Sequence, residues 1–208
     1  MQIITLSDTH GKHGKIEIPD GDIIIHAGDV TSMGRKHEVV AFFDWFASLK
    51  HPHKIFIPGN HDFFFEALPE YEILKWIPPG VTYLNDSGVE LEGLRFWGSP
   101  ITPWFNNWAF NRLPGEDIRK HWALIPAELD ILITHGPPRG ILDKTVGDEL
   151  TGCADLLNSV RAVKPLYHIF GHIHEGYGMY KDQDTTFLNA SVLDEMYQVR
   201  NQPCTFEL

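Results

Sequence analysis

The sequence has few cysteines and no long apolar run. Only two cysteines occur, Cys153 and Cys204, and they lie outside any C-x-x-C spacing, so neither a disulfide framework nor a zinc ribbon is expected. No run approaches the roughly 18 apolar residues that a membrane-spanning helix needs. The N-terminal stretch "MQIITLSDTHG" lacks a signal-peptide pattern. These absences predict a soluble cytoplasmic protein with no membrane contact.

Basic residues are also scarce. The chain has 17 Lys and Arg against 28 Asp and Glu, a formal net charge of −11. Stable binding of DNA or RNA is therefore not expected, because neutralising phosphates requires clustered cations. A length of 208 residues with 43% hydrophobic content favours one domain spanning residues 1–208. Nothing in the sequence specifies an oligomeric state.

Short β-rich runs alternate with segments of helical periodicity. Runs rich in Ile, Leu or Phe, each followed at once by polar or glycine residues, predict five buried strands: 1–6, 22–27, 53–58, 130–135 and 166–171. The segments 38–49 and 152–163 are expected to be amphipathic helices. Further strands are expected within 81–84, 89–99 and 185–191. This mixture favours an α/β layered fold with mixed sheets.

Oxygen or imidazole donors follow all five predicted strands. The donors are Asp8, His10, Asp29, Asn60, His135, His172 and His174. Loops that leave one edge of a sheet meet in space, so these side chains are expected to form one site. Seven donors exceed one four-ligand zinc site but suit two ions that share a carboxylate. The absence of cysteine from the set favours manganese, iron, zinc or magnesium.

Each donor also has a structural explanation when it is taken alone. Asp8 and Asp29 could cap helices, and Asn60 could hold a turn. His172 and His174 could be polar residues on a turn, although their two-residue step after a strand places them on one side. Seven donors in this order favour the metal site over seven separate structural roles.

The ordered motifs resemble those of a known family. The set D-x-H, G-D, G-N-H-D, H and G-H-x-H, across residues 8–174, resembles the calcineurin-like metallophosphoesterase superfamily. The segments "GSPITPWFNNWAFN", "LIPAELDILITHGPP" and "GHIHEGYG" are similar to the metallophosphoesterase-domain-containing branch, which is related to class III cyclic nucleotide phosphodiesterases. The resemblance implies a four-layer α/β sandwich, with two facing mixed β-sheets flanked by helices and the metal site at the carboxyl ends of the strands.

The resemblance also implies residue roles. Asp29 would bridge the two ions and His61 would be catalytic, with Asn60 and His61 contacting the substrate. The remaining ligands would be Asp8, His10 and His174 for the first metal, and Asn60, His135 and His172 for the second. From its position next to His61, Asp62 is expected either to assist catalysis by orienting His61 or to cap a turn.

These expectations define a function. A hydroxide bridging two divalent ions, with manganese the expected metal, would attack the phosphorus of a small phosphodiester, and His61 would protonate the leaving oxygen. Nucleotides are the expected substrates. The alternatives are a phosphomonoesterase or nucleotidase on the same core and a metal-binding interaction module without catalysis.

One aromatic segment allows two interpretations. Residues 103–112, "PWFNNWAFNR", mix aromatic and amide side chains that could stack on a base and read its edge. The same residues could instead cover the core. His26 and His168 precede the donor-bearing turns and could support the ligands from behind.

Overall fold

The computed structural model describes residues 1–208, which form thirteen strands and five α-helices. The strands are β1 (Gln2–Leu6), β2 (Ile23–His26), β3 (His53–Phe56), β4 (Val81–Tyr83), β5 (Ser87–Leu91), β6 (Leu94–Ser99), β7 (Thr102–Pro103), β8 (Asn111–Arg112), β9 (Ile131–Thr134), β10 (Tyr167–Phe170), β11 (Gly178–Lys181), β12 (Thr186–Asn189) and β13 (Cys204–Glu207). The helices are α1 (Lys36–Ser48), α2 (Phe63–Ala67), α3 (Glu70–Ile73), α4 (Glu116–Trp122) and α5 (Ala154–Val163). None of these helices is long and apolar enough to traverse a bilayer.

The strands form two mixed sheets and a small ribbon. The first sheet has the order β13-β1-β2-β3-β4, and the second has the order β11-β12-β10-β9-β6-β5. The central strands of both are parallel, whereas β13, β11 and β5 pair antiparallel at the edges. Parallel neighbours end at the same edge, so the loops after them are brought together.

The two sheets pack face to face through isoleucines. Alternate residues of a strand point to opposite faces, so Ile3 and Ile25 of the first sheet meet Ile133 and Ile169 of the second in one buried cluster. All four side chains are fully buried. Ile4, the neighbour of Ile3, belongs to the other core cluster, beneath the helices. The apolar runs of these strands reflect burial on both faces.

Helices cover the outer faces. Phe42 and Phe46 of α1 pack on Phe56 of β3 with ring centroids 5.5 and 6.5 Å apart. On the second sheet, Val160 of α5 belongs to the same buried cluster as Leu132 of β9. The order helix, sheet, sheet, helix confirms the expected four-layer α/β sandwich of mixed sheets.

The structure also contains elements that the apolar pattern did not predict. All five predicted buried strands are present, with bounds shifted by at most two residues, and both predicted helices form. The helices α2, α3 and α4 and the strands β7, β8, β11 and β13 were missed. In β13, exposed residues alternate with partly buried ones, so the strand lacks the apolar run of a central strand.

Replacement of Phe42 tests the helix–sheet packing. Phe42 is fully buried, so Phe42→Ala leaves a cavity and is expected to lower the free energy of unfolding by about 3–5 kcal/mol. Phe105→Ala, at a side chain that is 63% exposed, is the control and should change it by about 0.5 kcal/mol or less. Urea denaturation measures the free energy of unfolding of both variants, and an equal decrease in the two would contradict the packing of Phe42 between helix and sheet.

Candidate metal centre

All seven predicted donors lie at the carboxyl ends of the parallel strands. They follow β1 (Asp8, His10), β2 (Asp29), β3 (Asn60), β9 (His135) and β10 (His172, His174). Six of the seven are at most 8% exposed, and His172 is partly buried. The two sheets thus bring into one place side chains that are up to 166 positions apart in the chain.

The donor atoms form three overlapping groups. Within each group the ligand atoms lie within 4.8 Å of one another: Asp8, His10 and His174; His10, Asp29 and His61; Asp29, His135 and His172. Asp29 belongs to two groups. Its Oδ2 lies 3.6 Å from His10 Nε2 and its Oδ1 lies 3.4 Å from His135 Nε2. One carboxylate thus faces both ends of the cluster, as a bridging ligand would.

Backbone carbonyls orient two of the histidines. His135 Nδ1 donates to the carbonyl of Ala27 at 3.0 Å, and His174 Nδ1 donates to the carbonyl of Asp194 at 2.9 Å. Because Nδ1 carries the proton, Nε2 of a neutral ring presents its lone pair to the cluster. A hydrogen bond of this kind behind a ligand is typical of histidines that bind metals.

Asn60 brings a neutral oxygen to the second group. Its Oδ1 lies 2.8 Å from His135 Nε2. Its backbone carbonyl accepts a hydrogen bond of 3.1 Å from the amide of Ala109. Because its amide carries no charge, Asn60 adds a ligand atom without increasing the repulsion between the carboxylates.

The electrostatics of the cluster favour positive charge. Burial disfavours the charged form of His135, but the carboxylates of Asp29 and Asp8 outweigh it and raise the pKa of His135 to about 9. Burial is likewise outweighed at His174, where the hydrogen bond to Asp8 raises the pKa to about 9. Although burial opposes ionisation of Asp8, the hydrogen bond and charge of His174 hold the pKa of Asp8 well below its usual value. Divalent cations would meet the same attraction.

His10 provides an independent test of the fit to metal ions. Both of its ring nitrogens are buried and lack a hydrogen-bond partner. Burial lowers the pKa of His10 to about 4, so its ring is neutral near pH 7. An unpartnered buried polar atom is costly in a folded protein, and coordination of a divalent ion by His10 would satisfy it. The donor chemistry therefore fits divalent metals.

The backbone is strained at four donors. Asp8, His10, Asp29 and His172 have φ values of 58°, 43°, 54° and 68°, in the left-handed region that side chains other than glycine seldom adopt. Such strain concentrates at functional sites because the surrounding structure enforces it. Here it turns each side chain toward the cluster directly after a strand.

Glycines allow the loops to approach one another. A Cβ on Gly59 would clash with Asp29 Oδ1 and the ring of His135, and a Cβ on Gly171 would clash with Asp8 Oδ2. These positions therefore need a residue without a side chain. Gly176 likewise lies against the carbonyl of Leu142.

His61 lies beside the cluster in a fixed orientation. Its Nδ1 donates to the carbonyl of Ser32 at 2.7 Å, and its Nε2 lies 3.9 Å from Asp29 Oδ2. The ring of Trp108 covers it at a centroid distance of 4.2 Å, and the ring of His10 meets it edge-on at 4.5 Å. Nε2 is therefore directed toward the donor cluster around Asp29.

Asp62 does not orient His61, contrary to one of the two roles expected for it. Its carboxylate accepts hydrogen bonds from the amides of Gly59, Val30 and Thr31 and from the Thr31 hydroxyl, at 2.6–3.1 Å. The ring of His61 is held by Ser32 instead. Burial, reinforced by the charge of Asp29, raises the pKa of Asp62 to about 6. Asp62 therefore joins the loop after β2 to the loop after β3 and makes no hydrogen bond to the ring of His61.

Several supporting groups were not evident from the sequence. Ser191 Oγ donates to Asp8 Oδ2 at 2.7 Å, and the carbonyls of Ser32 and Asp194 orient histidines. No local pattern marks these groups, because they reach the site from distant segments. His26 and His168, which precede the donor-bearing turns, form hydrogen bonds with residues next to the donors and not with the donors themselves.

The contacts of these two histidines are similar. The Nε2 atom of His26 bonds Thr9 Oγ1 at 3.0 Å, and that of His168 bonds Thr134 Oγ1 at 2.8 Å. Each threonine is the immediate neighbour of a donor in the sequence.

The aromatic segment 103–112 lies beside the site and divides into two parts. Ala109 and Phe110 are buried, whereas Trp104 and Phe105 are 51% and 63% exposed. Trp108, between them, stacks on His61. Ala109 and Phe110 therefore cover the core, as the second interpretation expects, whereas stacking of a base on Trp104 and Phe105 stays a prediction.

A mixed two-sheet sandwich with aspartate, asparagine and histidine donors at the strand ends defines a metal-dependent phosphoesterase. Residues 1–176 match the family model described as "Calcineurin-like phosphoesterase", and the chain belongs to this family. Members of the family typically bind two divalent metals. This confirms the family predicted from the ordered motifs.

Two relatives match over nearly the whole chain. Human "Metallophosphoesterase domain-containing protein 1" is 42% identical over 230 residues, covering 100% of this chain and 71% of its own length. "UPF0046 protein K07C11.7" of Caenorhabditis elegans is 36% identical over 222 residues, covering 99% of this chain and 74% of its own.

Solved structures share the fold at low identity. One crystal structure aligns with a TM-score of 0.63 and 18% identity, covering 90% of this chain and 89% of its own. A second, described as "GAP50 the anchor in the inner membrane complex of Plasmodium", aligns with a TM-score of 0.52 and 13% identity, covering 99% and 80%. At these identities the likeness concerns the fold alone.

Substitution of Gly59 tests the packing of the centre. Gly59→Ala forces a methyl group against Asp29 and His135, so we expect the variant to bind fewer divalent ions, or to bind them at least about tenfold more weakly, as second-layer changes do. Gly14→Ala, where a methyl group meets nothing within 4 Å, is the control. The metal content of both variants is measured after dialysis. Wild-type metal loading of Gly59→Ala would refute the close approach of Gly59 to Asp29 and His135.

Proposed function

We propose that this protein hydrolyses small phosphodiesters, with nucleotides as the expected substrate class, and that manganese is its expected metal. The observation that carries the proposal is the convergence of a full donor set around Asp29, with His61 Nε2 only 3.9 Å from the same carboxylate. Retention of the complete set argues against the alternative of an interaction module without catalysis.

The donor residues and His61 would have different roles in the reaction. Two bound divalent ions would supply an activated water and neutralise charge on the phosphoryl oxygens. Asp8, His10 and His174 would hold one ion and Asn60, His135 and His172 the other, with Asp29 between them. His61 would hold a proton on Nε2 and deliver it to the departing ester oxygen.

The contacts of His61 suit this proton transfer. The carbonyl of Ser32 accepts from Nδ1, so a second proton, on Nε2, makes the ring a cation stabilised on one side by a carbonyl. Trp108 covers the ring face at 4.2 Å, and an indole face also favours a cation. His61 is therefore positioned to act as an acid toward an alkoxide leaving group.

The aromatic segment supports a diester that carries a base. Trp104 and Phe105 expose aromatic surface on the same short segment as Trp108, which itself packs on His61. A nucleobase or aryl group attached to the phosphate could stack there. A phosphomonoester carries no second ester group that could stack there, so the relative rates of diester and monoester hydrolysis distinguish the two functions.

The cellular location remains a prediction. Cys153 and Cys204 are both free thiols, which suits the reducing cytoplasm. We therefore propose a cytoplasmic enzyme whose partner is a small phosphate ester.

A metal-exchange assay tests the proposed function. Stripped protein should lack activity, and Mn²⁺ should restore it, with bis(p-nitrophenyl) phosphate and cyclic nucleotides hydrolysed faster than p-nitrophenyl phosphate. Mn²⁺ at about 100 times its Kd should also stabilise the fold by about 2.7 kcal/mol, visible as a raised Tm. Faster monoester hydrolysis would favour the nucleotidase, and metal-induced stabilisation without turnover would favour the interaction module.

The acid role of His61 has a separate test. His61→Ala keeps the backbone amide that donates to Asp29 Oδ1, so metal content should stay at the wild-type value. Turnover of diesters with poor leaving groups should fall about 10²–10⁴-fold, and nitrophenyl esters should lose less because nitrophenolate leaves without a proton. His53→Ala, at a histidine paired with Glu92 away from the centre, is the control. Equal loss on both ester types would refute proton donation.

A further inference from the structure

A second concavity lies apart from the metal centre. It has a volume of about 900 Å³ and is bounded by α5, the loop at residues 139–142 and the hairpin of β11 and β12. None of the seven donors lines it. Its volume falls in the range of roughly 300–1,000 Å³ that is usual for small-molecule sites.

The charge balance at this cavity is opposite to that of the whole chain. Acidic residues outnumber basic ones by 28 to 17 in the sequence. Among the lining residues, however, four are cationic (Arg139, Arg161, Lys164 and Lys181) and two are acidic (Asp182 and Asp184). A local excess of cations on an acidic protein favours an anionic ligand.

The two carboxylates at the cavity are already engaged. Asp184 Oδ2 lies 3.0 Å from Lys164 Nζ. Asp182 Oδ1 accepts hydrogen bonds from the amides of Asp184 and Thr185, at 2.9 and 2.7 Å, and closes the hairpin turn. Neither carboxylate neutralises the remaining three cations.

Those three cations form no ion pair with any carboxylate of the chain. Arg139 Nη1 donates a hydrogen bond to the carbonyl of Leu150 at 3.0 Å. Arg161 and Lys181 are exposed and come from different elements, α5 and β11. Both residues line the cavity, so an anion bound there faces cations from two elements, and charge-assisted hydrogen bonds to phosphate are strong.

The cavity also has an apolar part. Its lining includes Val160 and Phe187, each 2% exposed, and the partly buried Leu142 and Leu157. Tyr180 is 49% exposed, so its ring is accessible to a ligand. A molecule that fits both parts has a charged group and a flat or aliphatic body.

We propose that this cavity binds a phosphate-bearing metabolite with an aromatic body, of the class represented by a nucleoside monophosphate. The phosphate lies between Arg161 and Lys181, and the body lies over Leu142 and Tyr180. Because none of the metal donors takes part, this site is independent of the proposed hydrolysis.

Binding is tested by NMR on the full ¹⁵N-labelled chain loaded with Zn²⁺, with AMP as the probe. Saturable shifts of the amides of Gly140, Leu142, Lys181 and Thr185 are expected. Adenosine alone and inorganic phosphate alone should each bind more weakly, because each provides only one half of the ligand. Shifts confined to the loops at residues 8–10 and 60–61, or no shifts at millimolar AMP, would overturn the proposal.

A charge-matched pair of variants assigns the contacts. The double variant Arg161→Ala, Lys181→Ala removes two exposed cations and should weaken AMP binding at the cavity about tenfold or more. The double variant Lys15→Ala, Lys50→Ala removes the same charge from exposed positions outside the cavity and should change it by less than about twofold. Equal affinity in the two double variants would contradict the assignment.

Discussion

The burial of two carboxylates at the edge shared by the sheets controls the rest of this structure. Asp8 is 0% and Asp29 is 2% exposed, and burying a charge costs several kcal/mol unless partners compensate for it. Asp8 accepts hydrogen bonds from the His172 amide, at 2.9 and 3.1 Å, and from the Ser191 hydroxyl. The His61 amide donates to Asp29. The donors to Asp8 follow strands of the second sheet, so Asp8 is compensated only when the two sheets are assembled, and divalent cations held by the cluster would compensate both carboxylates further.

The backbone of these loops is strained where it positions the donor side chains. Left-handed φ angles at Asp8, His10, Asp29 and His172 cost about 1–3 kcal/mol each, and they occur directly after strands whose isoleucine cores are well packed. The rigid strands supply the stability that the loops lack. Glycines at the points of closest approach complete the arrangement, because a methyl group at Gly59 would displace Asp29 itself.

Much of this arrangement could be predicted from the sequence, and the limits have a physical cause. A buried parallel strand leaves an uninterrupted apolar run, and the donor after it is local, so β1 and Asp8 were both evident. The Ser191 hydroxyl that supports Asp8 lies 183 positions away, and only the pairing of strands brings it there. Asp62 was misassigned in part because adjacency to His61 in sequence does not give the direction of its side chain, which points to the amides of Thr31 and Gly59.

The structure separates the reaction chemistry from the choice of substrate. A pair of divalent ions activates water for monoesters and diesters alike, so the donors cannot select between them. We propose that the segment 103–112 makes this selection, because part of it packs against the centre and part of it is exposed. The Ala109 amide binds the Asn60 carbonyl and Trp108 covers His61, whereas Trp104 and Phe105 are exposed. Under the proposed function, substitutions at the exposed Trp104 and Phe105 would alter which ester group is accommodated without moving a metal-donor side chain.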